Sequence, residues 1–343
     1  MIYNRSLKDP VSSKNIYENN FLPFYLGRDA LIFLINHLEI DSIFLPSNIC
    51  PTLIEIIEKN NLKVFFYGQF KEGTLEVDSK KIEHELTLIL SKEKISFFLW
   101  HDFLNILGDM PEELYSFLEK KQIEVIIDAV HSLPTYKYKS EIVIYGFRKI
   151  FSEPFGAFLK VNKKLHGYPS IKLEKYLIYK MYFKIKLRIL SLLRNGDNRF
   201  LDLILKSICN LDQRYNPDLI SDFSANPSIY PKLSKLLRNK DLKKVCELRQ
   251  RNYRIYNNFF NSKDLNSMKL CPYGFPLIIE NNTELRKKLW DEGIHTFILW
   301  KENKRQELKN INSFFSKKIL ILPVNHDLPE KDIMKIIAVI NDT

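Results

Sequence analysis

Cysteine is scarce and scattered: the chain holds only Cys50, Cys209, Cys246 and Cys271. They are far apart and form neither a CxxC pair nor a Cys/His cluster. That argues against a disulfide framework or a zinc site and fits a reducing cytoplasm. Glycine (10) and proline (15) are few in 343 residues, which excludes collagen-like and low-complexity chains. No uncharged apolar run reaches the length of a membrane-spanning helix, and the opening MIYNRSLKDPVSS has no apolar signal-peptide core. The P-loop, GxGxxG, HExxH and GxSxG signatures are also missing, so the common nucleotide-hydrolase, dinucleotide, metalloprotease and α/β-hydrolase readings lose their usual support.

What is present is an ordinary globular composition, 45% apolar and 27% charged, long enough for about two domains. Lys plus Arg (52) exceeds Asp plus Glu (41) by 11, a balance that favours anionic partners without choosing among phosphate groups, nucleic acid and lipid surfaces.

From Phe21 to about Val161, short apolar runs alternate with helix-like stretches. Strands are expected over 42–46, 63–67, 86–90, 95–100, 124–128, 141–145 and 157–161, several of them apolar on both faces. Helices are expected over 28–38, 51–60 and 111–120, the last two opening on a proline suited to a first turn. This alternation predicts an α/β domain with a mainly parallel sheet, in which ligands lie beyond the C-terminal strand ends. A smaller C-terminal α/β domain follows, with strands at 274–279 and 319–322, a helix from Thr283 to Glu292 capped by Thr283, and a final helix from Glu330 to Ile340. The expected division is an N-terminal segment (1–20), a large domain (21–235) and a small domain (236–343). Within the large domain, residues 171–194 mix apolar and basic side chains with Glu174 as the sole acid. Such a helix either contacts a membrane surface or another anionic partner, or buries its stripe on the domain or on a second subunit. The latter is the commoner use.

Chemistry-bearing residues collect at the strand ends. Asp128 closes one apolar strand and His131 follows three positions later; a carboxylate there can equally cap a turn. The strand at 141–145 runs into Gly146, Arg148 and Lys149, and a lysine just past a buried strand is either solvated or a desolvated amine suited to Schiff-base chemistry. His101 ends the strand at 95–100, where it either contacts substrate or is a structural loop histidine. Tyr253 and Trp300 read as pocket or packing aromatics, and Arg148 as an anion-binding or surface arginine.

Together these residues resemble the DegT/DnrJ/StrS family of sugar aminotransferases, pyridoxal-phosphate enzymes of fold type I, over about Phe21 to Ile340. The matching pieces are Gly27-Arg28-Asp29-Ala30-Leu31, the run from Phe44 to Cys50, the run from Val125 to Ser132, and Gly146-Phe147-Arg148-Lys149 followed by Pro154, Gly156 and Ala157. The resemblance implies that the helix opening at Gly27, Arg28 and Asp29 receives the cofactor phosphate, a sensible place for an anion. It implies further that Asp128 pairs with the pyridine nitrogen, that His131 stands near the phenolic oxygen, and that Lys149 is the Schiff-base lysine. Three departures accompany it. Cys50 stands where an aromatic ring often covers the cofactor, His131 replaces a frequent glutamine, and Gly146 replaces a phosphate-binding serine. Arg28, or Asn216 from a neighbouring subunit, is the expected compensation.

The implied activity is transfer of an amino group, with glutamate as donor, to a keto sugar, nucleotide-linked and destined for a surface polysaccharide. His101, Arg148, Tyr253 and Trp300 are candidate substrate contacts. A homodimer is implied; a metal and a nucleic-acid partner are not. The competing readings are a pyridoxal-phosphate enzyme with another keto substrate or reaction, and a catalytically silent scaffold that binds a membrane or partner through its basic segment.

Overall fold

The computed structural model describes residues 21–24, 26–146, 148–151, 156–162, 241–260, 270–299 and 314–342. The basic segment 171–194, Asn216 and Trp300 lie outside them. Among the described residues no helix is long and apolar enough to cross a membrane.

Nine strands are described: β1 (Phe21–Phe24), β2 (Ser42–Pro46), β3 (Lys63–Tyr67), β4 (Phe97–His101), β5 (Glu124–Ala129), β6 (Ile142–Gly146), β7 (Ala157–Val161), β8 (Gly274–Ile278) and β9 (Ile319–Pro323). The first seven form one sheet in the order β1-β7-β6-β5-β4-β2-β3. Strands β3, β2, β4, β5 and β6 run parallel, while β7 is antiparallel to both β6 and β1. This is the mainly parallel α/β sheet that the alternating sequence implies. Every residue of β2, β4 and β6 is buried, because helices cover both faces of such a sheet.

The flanking helices are α1 (Gly27–His37), α2 (Pro51–Lys59), α3 (Ser79–Leu90) and α4 (Glu112–Lys120). Each buries one stripe, such as Leu53, Ile54 and Ile57 of α2 or Leu114 and Leu118 of α4. The strand expected over 86–90 is instead the last part of α3. Asp78 caps that helix by accepting a hydrogen bond from the Lys81 backbone N–H at 3.1 Å, Ile82 and Leu86 share the buried face, and Leu88 points outward. A five-residue stretch with four apolar residues has no clear period of its own, and the cap upstream decides it.

A single helical turn, α5 (Arg148–Phe151), follows β6. Then α6 (Leu242–Phe260) leads to the antiparallel pair β8–β9, which is flanked by α7 (Asn282–Asp291) and α8 (Glu330–Asn341). The cap of α7 is Asn281, whose side chain accepts from the Glu284 N–H; Thr283, expected in that role, lies inside the helix. Two clusters of buried side chains result, one around the seven-stranded sheet and one around β8 and β9. Helix α6 contributes Leu242, Val245 and Cys246 to the first and Tyr253 and Tyr256 to the second. It also brings Cys246 near Cys271, two free thiols remote in sequence.

Two glycines are required by one neighbour. A Cβ at Gly27 would lie 2.4 Å from Val130 Cγ1, and one at Gly146 would lie 2.4 Å from the Val130 carbonyl oxygen. Gly27→Ala is therefore expected to cost about 1–3 kcal/mol in urea unfolding, and Val130→Ala in the same chain to recover most of it. Gly146→Ala should cost at least as much and gain nothing from Val130→Ala, because its obstacle is main chain.

Candidate active site

The parallel register sets the site. His101 of β4 pairs with Asp128 of β5, so the two side chains leave the sheet side by side. Both are buried, and His101 Nδ1 lies 3.2 Å from Asp128 Oδ2 while the Val130 N–H donates to Asp128 Oδ1 at 3.2 Å. The carboxylate is thereby fixed in orientation. Behind it, Gln69 Nε2 donates to the His101 carbonyl at 2.8 Å and Asn48 Nδ2 donates to Gln69 Oε1 at 3.2 Å. The C-terminal ends of β2, β3, β4 and β5 thus share one buried polar layer. Its unsatisfied atoms are Ser47 Oγ, Asn48 Oδ1 and His131 Nδ1, which have no partner among the described residues.

Lys149 approaches from α5, its Nζ 2.8 Å from His131 Nε2. Burial pushes the Lys149 ammonium down to about 8; electrostatic interaction with Cys50 and Asp128 opposes that shift, and neighbouring Arg148 adds to it. Burial, with the charges of Lys149 and His101, holds His131 well below the ordinary histidine range, so the imidazole is neutral and can accept from the ammonium. The His131 ring packs edge-on against His101, centroids 5.4 Å apart, and stacks face to face on Tyr273 at 4.8 Å with 10° between the planes.

At the start of α1, the Asp29 carboxyl group accepts a hydrogen bond from the Leu26 N–H at 3.0 Å. Desolvation raises its carboxyl to about 7 in spite of Arg28, that hydrogen bond and Arg148. This helix end accordingly carries less than a full negative charge near neutrality, between two arginines. Cys50 stands at the N-cap position of α2, its Sγ 3.0 Å from Thr52 Oγ1 and without a side-chain bond to the helix backbone, and is half-buried.

The fold therefore gathers Asp128, His131, Lys149, His101, Cys50 and Arg148 around one point, with Gly27, Arg28, Asp29 and Gly146 alongside. His101, expected as a substrate contact, has its Nδ1 directed at Asp128. Tyr253 is in the second core, 1% exposed, with its ring 5.0 Å from Phe275, which is a packing position. The missing serine at 146 has a steric cause in the Val130 carbonyl, which leaves only backbone there to meet an anion. Tyr273 went unrecognised in the sequence. It stands in a loop before β8 with no periodicity or motif to mark it.

No protein-family model and no curated protein matches the sequence. Solved structures do. Sugar aminotransferase CalS13 from Micromonospora echinospora superposes with a TM-score of 0.60 at 12% identity, covering 96% of this chain and 89% of that one. PseC from Helicobacter pylori, an aminotransferase involved in the biosynthesis of pseudoaminic acid, gives 0.60 at 14% identity over 94% and 86%. A DegT DnrJ EryC1 StrS aminotransferase from Brucella abortus gives 0.61 at 14% identity over 96% and 88%. The chain has the fold of these sugar aminotransferases, the fold type I architecture. At this identity the likeness is one of fold, and the chemistry rests on the residues above.

Asp29 gives the site a testable pH dependence. Folded Asp29 keeps its proton up to about pH 7 and the unfolded carboxyl loses it near 3.8, so between those values the folded state binds the extra proton. Its contribution to stability falls as pH rises through that window. Comparing urea midpoints at pH 5 and pH 7.5, Asp29→Asn should lose less stability on the way up than the parent chain.

Proposed function

We propose that the chain is a pyridoxal-phosphate-dependent aminotransferase that moves an amino group from glutamate to the keto group of a nucleotide-linked sugar, for use in a surface polysaccharide. The observation that carries this reading is the Lys149 amine, lowered to about 8 and bonded to a neutral His131, beside the His101-oriented Asp128 carboxylate.

The residues fit the cofactor in three respects. Lys149 offers an amine that is part neutral at physiological pH, as attack on an aldehyde requires. Asp128 offers a carboxylate of fixed orientation for the pyridine nitrogen. His131 Nδ1 is buried and unpartnered, able to meet the phenolic oxygen. The first turn of α1, with Arg28, would hold the phosphate, and the Gly146 backbone leaves it room. Bound there, the cofactor supplies an electron sink for the charge left when a proton leaves the donor's α-carbon.

The protein's own part is positional and acid–base. His101 and the Val130 N–H hold Asp128 in one orientation. Lys149 Nζ, once free of its covalent partner, takes up a proton as an amine and releases it as an ammonium, a task suited to a pKa near the working pH. His131 accepts from that ammonium and keeps it on station. The net charge of +11 is consistent with an anionic diphosphate substrate. We read the active form as a homodimer, which sedimentation would test. A panel of nucleotide-keto-sugars against small keto acids separates the proposed acceptor from other keto substrates.

Adding pyridoxal phosphate to the purified protein should produce a visible absorption band that glutamate bleaches and that Lys149→Ala lacks. Because neutral amine is the reactive form, the rate of band formation should rise with pH and level off above about 8. A parent chain that forms no lysine-dependent band would sink the reading.

A further inference from the structure

We propose that Tyr273 is a positioning residue of the Lys149 site: its ring clamps the imidazole of His131 and keeps it dry and aimed at the lysine amine. The inference deepens the aminotransferase reading and rests on it for its meaning in catalysis.

Tyr273 is held from two sides. Arg249 of α6 is wholly buried, yet it donates to main-chain carbonyls, from Nε to Pro272 at 2.7 Å and from Nη2 to Tyr273 at 2.6 Å. Its Nη1 has no partner among the described residues. A guanidinium taken out of water is costly, so its use on two successive carbonyls marks this segment as one that must not move. From the other side the Tyr273 N–H donates to the Leu104 carbonyl at 2.8 Å, and the Cys271 N–H donates to Asn105 Oδ1 at 2.9 Å. Leu104 and Asn105 both adopt positive φ, 54° each, a left-handed conformation that is unfavourable for leucine. That strained turn is wound around buried Asp102, which accepts from the Leu107 and Gly108 N–H groups, from Asn105 and from the Tyr138 hydroxyl. A buried cation, two left-handed residues and a buried carboxylate thus converge on one short loop.

The side chain so placed reaches the catalytic centre at one point. The Tyr273 ring lies nearly parallel to His131 and touches Phe297 at 5.5 Å on its own side. Covering the imidazole face excludes water, which disfavours the charged ring, and restricts rotation about the bond that aims Nε2 at Lys149. The titratable groups around the pair are His101 and Asp128 from the strand ends, Cys50 from the start of α2, Arg148 from α5, and Tyr273 itself with Arg249 behind it. Of these, Tyr273 is the one that covers the imidazole face to face. The clamp needs an aromatic plane and no hydroxyl, so phenylalanine should serve and leucine should not.

The test uses the full chain without cofactor. Trace acylation across pH 6–10, with mass spectrometry of the Lys149 peptide, reads the midpoint of the amine directly. The parent and Tyr273→Phe should both give a midpoint near 8, while Tyr273→Leu should move it up by about one unit as water reaches the pair. Histidine ring NMR of the same proteins provides a second readout: His131 should begin to titrate in the leucine variant only. If Tyr273→Leu lowers the melting temperature yet leaves both readouts where they stand in the parent, Tyr273 is mere packing and the proposal fails. If the leucine variant does not fold, a shifted midpoint in Tyr273→Phe, which keeps the plane, would overturn it equally. Neither readout depends on cofactor, so a parent chain without a visible band would remove the aminotransferase reading and leave the clamp to stand or fall by itself.

Discussion

The site depends on one constraint, the in-register parallel pairing of β4 and β5. Because His101 and Asp128 occupy partnered positions, their side chains emerge together, and the imidazole can orient the carboxylate without any loop having to deliver it. A slip of one residue would turn Asp128 to the opposite face of the sheet and break the pair. Burial of β4 and of the last four residues of β5 opposes that slip, since it would carry a polar side chain into the apolar layer and an apolar one out. The hydrophobic pattern of FFLWH against EVIIDA thus acts on the chemistry directly.

Crowding at Val130 is a second consequence of the same geometry. The chain turns immediately after β5, and the turn presses one side on the start of α1 and the other on the end of β6. Gly27 and Gly146 answer that pressure. Where the anion-binding serine of the family pattern is absent, the carbonyl of Val130 fills the space its Cβ would need. The departure is therefore one half of a packing solution at Val130.

Much of the architecture was legible. The apolar runs of β2 to β7 identify themselves by length and by β-branched and aromatic content, and α2 and α4 by their 3.6-residue stripe. The run at 86–90 misled because four apolar residues fit either period, and the deciding cap at Asp78 lies well upstream. At α7 the cap fell two residues early, on Asn281, because Asn and Thr are both competent caps and only the chain path chooses between them.

At the site, strand-end position marked Asp128, His131 and Lys149 as candidates in the sequence, and the family resemblance supplied the roles expected of them. What those groups touch was decided by tertiary structure alone. His101 was visible as a strand-end histidine, but its partner is set by register. Tyr273 stands 142 positions after His131 and is brought to it by Arg249, Leu104 and Asn105, none of which adjoins either residue in sequence. Local pattern reports whether a segment buries one face or two. It holds no information on contacts made when two separately patterned units dock, and those contacts here decide which protonation states the chemical groups can hold.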